Sequence, residues 1–96
     1  MKLNQMLKQA QAMQEKLKQK LETISVEATA GGGMVKVQMN GHKVVTGVVI
    51  DPEVVDKDDV EMLQDLVTAA VNEASRKVDQ EAQSQIGSLA GMPGLF

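Results

Sequence analysis

Chemistry in this chain rests on lysine, carboxylate and glycine, because the usual reactive side chains are scarce. There is no cysteine, His42 is the only histidine and Phe96 the only aromatic residue among 96. A lone histidine beside a turn lacks the partners that a general base or a metal site needs, so solvation is its expected state. Ser25, Ser75, Ser84 and Ser88 lie in no nucleophile motif. The acids Asp51, Glu53, Asp56, Asp58 and Asp59 resemble a calcium loop only in composition. Val55 and the missing glycine break the required spacing, and a solvated helix start accounts for them better. No enzyme activity, metal, cofactor or small-molecule substrate is expected.

Gly31-Gly32-Gly33 could cradle a phosphate only if a helix began directly after them, where free backbone N–H groups and the helix dipole face the anion. Here the run continues as "MVKVQM", which alternates as a strand does, and neither dinucleotide nor P-loop spacing fits. The glycines therefore read as a hairpin connection.

The lysines carry more. Residues 1–22 hold five lysines against Glu15 and Glu22, a net +3, whereas residues 51–65 hold seven acids against Lys57, a net −6. A chain of overall charge −3 is thus polarised, with a basic start that can meet an anion locally. At 100° per residue, Lys2, Lys16 and Lys20 fall with Gln5 and Gln9 along one flank of the first segment, free of acids. Lys8 and Lys18 lie on the other side, where Lys18 has Glu15 and Glu22 within pairing distance. Such a lysine and glutamine strip suits phosphate contacts, and equally suits plain solvation. Arg76 and Lys77 add positive charge late in the second helix, with Glu73 placed to neutralise Lys77. Stacking on rings, the basis of sequence-tolerant single-strand binding, is disfavoured by the shortage of aromatics.

The elements that position these residues follow from periodicity. Leu3, Met6, Leu7, Ala10, Met13, Leu17, Leu21 and Ile24 recur at the 3/4 spacing of an amphipathic helix free of Gly and Pro. Three alternating runs follow. Ile24, Val26 and Ala28 share a face, as do Val35, Val37 and Met39, and then Val44, Val48 and Ile50. Asn40-Gly41 signals a type I′ hairpin, and Asp51-Pro52 ends the third run. Asp58 with Glu61 suggests a capping box for a second helix, whose stripe is Val60, Leu63, Val67, Ala70, Val71, Ala74 and Val78. Val45 and Val49 are apolar on the other face of the third strand. Helices on one side of the sheet leave that face bare, so a second copy of the chain is expected to cover it.

Taken together, "MLKQAQAMQEKL", "GGGMVKVQMNG", "VVIDPEVV", "DVEMLQDLVTAAVNEASRK" and the ending "GMPGLF" resemble the YbaB/EbfC family of bacterial nucleoid-associated proteins, over nearly the whole chain and in the same order. The resemblance implies an α+β protomer of order α-β-β-β-α, a tweezer-like homodimer, and duplex DNA as partner, with effects on nucleoid organisation or gene expression. By position, the basic residues of the two long helices fall on Lys2, Lys8, Lys16, Lys20, Arg76 and Lys77. The expectations are one domain over 1–86, a flexible tail over 87–96, two helices packed on a three-stranded antiparallel sheet, a cytoplasmic location on the nucleoid and no membrane partner. The alternative is a scaffold whose long helices grip another protein.

Overall fold

The computed structural model describes residues 2–90, with the side chains of 86 and 88–90 excepted. The order is α1 (Lys2–Thr23), β1 (Ser25–Ala30), β2 (Val35–Asn40), β3 (Val45–Ile50), a 3₁₀ turn (Pro52–Val54) and α2 (Val60–Ala90). The three strands form one antiparallel sheet, β1-β2-β3, as the alternation requires. The helix α2 continues to Ala90, into the segment expected as a tail, and residues 91–96 lie outside the described ones.

The core is small and aliphatic. Ala28, Val35, Val37 and Met39 on the sheet meet Ala70, Ala74 and Val78 of α2, and Val54 of the 3₁₀ turn closes one end. Alanines on α2 let its axis approach the strands closely, so the valines of β2 lose all contact with water. Burying each of these valines contributes about 2 kcal/mol. α2 packs on β1 and β2. A helix is roughly 10 Å wide and strands lie about 4.8 Å apart, so one helix covers two strands and leaves the third open.

Both turns have physical reasons. Gly31, Gly32 and Gly33 all have positive φ, at 63°, 70° and 96°. Three successive left-handed residues exclude side chains, so the triple glycine is the β1–β2 connection and nothing more. Gly32 has open space where a Cβ would stand. Gly32→Ala should therefore cost about 1 kcal/mol through backbone strain alone, read as a lower midpoint in urea. The second hairpin differs from the expected two-residue type I′ turn. Gly41 lacks positive φ, and Lys43 takes the left-handed position instead, at φ 62°. The Asn40 Oδ1 accepts from the backbone N–H groups of His42 (2.9 Å) and Val44 (3.1 Å), which holds a longer loop. Glycine is needed at 41 for closeness: a Cβ there would lie 2.0 Å from the carbonyl oxygen of Leu21.

Three expectations are corrected. The N-cap of α2 is Asp59, whose Oδ1 accepts from the Met62 N–H at 3.2 Å, one residue later than the Asp58 box. Asp58 is held outside the helix by its own N–H donating to Asp56 Oδ1. The helix α1 does not lie on the sheet: none of its residues is buried, and the half-buried ones, Met13, Leu17, Lys20 and Leu21, lie in its second half, where it meets β2 and α2. It joins β1 through the single residue Ile24, too short a link to fold the chain back over the sheet. Finally, Val45 and Val49 do not share a face. The register runs Lys36↔Val49, Val37↔Val48, Gln38↔Gly47 and then Met39↔Val45, so Thr46 is an extra residue in a bulge. The bulge carries Val45 to the side of Met39 and leaves Val49 opposite Lys36 on the open face.

Candidate nucleic-acid interface

An arm follows from α1, exposed all round from Lys2 to Ala12 and half-buried along Met13, Leu17, Lys20 and Leu21. Its 22 residues reach roughly 33 Å, at 1.5 Å per residue, within a chain 68 Å long and only 21 × 16 Å across. Lys2, Lys8, Lys16 and Lys18 are exposed along it and Lys20 is half-buried near its anchored end. Among the described residues none of these five makes a salt bridge. Lys16 and Gln9 border one shallow depression with Ala12 and Met13, which places both on the expected flank. The pairing of Lys18 with Glu15 or Glu22 is not made. An exposed helical pair gains so little that solvent keeps the charges apart. Lys18 therefore joins the open lysines, a residue that spacing had assigned to a pair.

The basic residues of α2 are engaged. Arg76 grips Glu73 through both Nε (3.0 Å to Oε2) and Nη2. The Arg76 hydrogen bond holds the Glu73 carboxyl below its usual range despite partial desolvation, and the same bond raises Arg76. It is thus Arg76 that Glu73 neutralises, in place of Lys77. The Lys77 ammonium donates to the Glu27 carbonyl oxygen at 2.8 Å, across to β1. Lys43 pairs with Asp79 at 2.8 Å, tying the β2–β3 loop to α2. The six expected contacts thus divide. Lys2, Lys8, Lys16 and Lys20 are open on one helix, whereas Arg76 and Lys77 on the other already have partners.

The remaining candidates are not drawn together into a cluster among the described residues. His42 is exposed in the β2–β3 loop. Among the described residues no three His, Cys, Asp or Glu side chains gather to hold a metal. No described helix is long and apolar enough to cross a membrane. Asp59, Glu61 and Asp65 instead line a groove of about 500 Å3 with Met62, Leu66 and Ala69 on the outer side of α2.

Comparison with known proteins decides the family. Residues 1–93 match the YbaB/EbfC DNA-binding family. The chain belongs to that family. It is 55% identical over 93 residues to a nucleoid-associated protein of Koribacter versatilis, covering 97% of this chain and 92% of the relative. A nucleoid-associated protein of Thermoanaerobacter pseudethanolicus is 51% identical, with 98% and 90% covered. In fold, this YbaB/EbfC protein is similar to an uncharacterized protein of Helicobacter pylori, with a TM-score of 0.77, 24% identity, and 93% and 94% of the two chains covered. The order α-β-β-β-α read from the sequence is thus that of a solved structure.

Proposed function

We propose that this protein binds duplex DNA as a homodimer, mostly through backbone phosphates, and thereby alters DNA conformation, nucleoid organisation or gene expression. The observation that carries the reading is the set of open lysines on α1, which makes no ion pair among the described residues and whose first half is exposed all round. Family membership and the nucleoid-associated relatives support it. Each lysine that meets a phosphate releases a condensed counterion, which supplies affinity without reading sequence. No element here presents base-reading side chains on a recognition helix, so binding is sequence-tolerant.

The homodimer is read from β3. Val45, Val48 and Val49 are 40%, 45% and 60% exposed, on both sides of an edge strand that α2 does not cover. Apolar residues around an unpaired strand edge favour a second copy, and the other edge strand, β1, carries no such cluster. Joining two copies sets two basic arms on one particle.

With two to four phosphates met per protomer, log K should fall against log salt with a slope of roughly −4 to −7 for the dimer. Replacing Lys16 and Lys20 with alanine should weaken binding on all duplexes alike and flatten that slope by about 2 to 4. The fold should be retained, because neither side chain is buried. A titration of labelled duplex by fluorescence anisotropy across a salt series checks this. Unchanged affinity and slope in the double variant would leave the strip as merely solvated. A wild type without salt-dependent binding would hand the function to the scaffold reading, in which the long helices hold another protein.

A further inference from the structure

The arm that carries the lysines is itself unfinished as a packed element. Leu3, Met6 and Leu7 are 68%, 64% and 53% exposed on a helix with no buried residue. An apolar stripe of this kind ordinarily faces a partner. Lys2 stands beside it and Lys8 on the far side of the same turns, and there is no acid in the first turn. At the far end of the chain the N-terminal half of α2 presents the opposite arrangement. Met62, Leu66 and Ala69 floor a groove bordered by Asp59, Glu61 and Asp65. Met62 is 39% exposed there. A leucine and methionine ridge, on a helix half that carries two lysines and no acid, thus matches a methionine, leucine and alanine furrow lined with carboxylates. The two surfaces belong to stretches of net +3 and net −6.

We infer that the N-terminal half of α1 seats in the acidic furrow of α2 on another copy of the chain, joining dimers to one another. This rests on the reading of β3 as the dimer edge. A ridge meeting a different surface is a head-to-tail contact, and such contacts continue from particle to particle unless geometry closes a ring. Lys2 would serve both the furrow and the phosphates. Bound DNA and dimer-to-dimer contact therefore compete for the same arm. The acidic furrow acts as an internal polyanion that keeps the arm occupied until DNA displaces it.

The test is the mass of the full chain by sedimentation velocity, at low and high salt and with increasing concentration. Asp59 is left in place because it caps α2. The reversing variants are Glu61→Lys with Asp65→Lys, both exposed positions, and Lys2→Glu with Lys8→Glu. At low salt the wild type should grow beyond two chains with concentration, and about 0.5 M salt should return it to the dimer. Either reversed pair should hold the protein at the dimer, and mixing the two variants should restore larger species. The Glu61 and Asp65 variant should still bind duplex DNA, and duplex added to the wild type should disperse the larger species. A mass fixed at two chains under all salts, or growth indifferent to both reversals, overturns the contact. A wild type that passes from one chain to two under control of these charges upholds the contact and overturns β3 as the dimer edge. Loss of DNA binding by the Lys2 and Lys8 variant alone bears on the DNA reading and leaves the contact to the mass measurements.

Discussion

Val49→Asp is expected to give a folded monomer that has lost most of its affinity for duplex DNA. The side chain is 60% exposed in the protomer, on the open face opposite Lys36, so the charge costs the fold little. In a dimer joined along β3 the same carboxylate would be withdrawn from water without a partner, which costs several kcal/mol. A dimer of micromolar or weaker affinity does not survive that. DNA binding follows because two arms on one particle bind the second site intramolecularly, a gain on the order of 10²–10⁴. The salt slope should fall by about half, since half the phosphate contacts are lost. Light scattering and a thermal melt separate the outcomes: a dimer of unchanged mass with Asp at 49 refutes the assignment. Val45→Asp refines it, because the bulge places Val45 on the other side of the strand. If the strand edge itself is the junction, both variants dissociate, and if only the open face is covered, Val45→Asp stays a dimer.

Gly41→Ala should detach α1 from the body of the protein. The added Cβ would stand 2.0 Å from the Leu21 carbonyl oxygen, 2.8 Å from its carbon and 3.0 Å from its Cα. These are backbone atoms, which cannot rotate aside as a side chain would. Relief requires the loop and the end of α1 to part, at a cost of about 3 kcal/mol. That junction is where α1 touches β2 and α2, and an isolated helix of this length is marginal in water. Hydrogen exchange should show residues 2–20 losing protection while β2 and the core of α2 keep theirs. An unchanged melting temperature and unchanged exchange in α1 would show that the turn yields instead.

How far the sequence could be read depended on whether a feature was local. Val35, Val37 and Met39 alternate without interruption, so both the strand and its buried face followed directly from spacing. Gly31-Gly32-Gly33 likewise declared a turn, since only glycine tolerates three positive φ values in succession. The helix α1 was legible as a helix but not as a free arm. Its apolar stripe implies a partner, and nothing in the periodicity says that the partner is absent from its own protomer. The bulge at Thr46 was invisible for a related reason. A strict two-residue alternation puts Val45 with Val49, and one extra residue moves it across. Among the candidate residues, the openness of Lys2, Lys16 and Lys20 was readable because no acid shares their flank. The engagement of Lys77 was not, because its partner is a backbone carbonyl 50 residues away, and carbonyls leave no trace in a residue pattern.

That bond between Lys77 and Glu27 has a consequence for assembly. It occupies an outward acceptor of β1 with a charged donor, and an edge so capped is a poor template for a further strand. The opposite edge, β3, has no comparable guard among the described residues. The two edges of the sheet are therefore unequal. Were copies to pair along β3, the edge left outermost would be the one that Lys77 guards. A protein concentrated along DNA, as proposed above, would gain protection from cross-β stacking by this asymmetry.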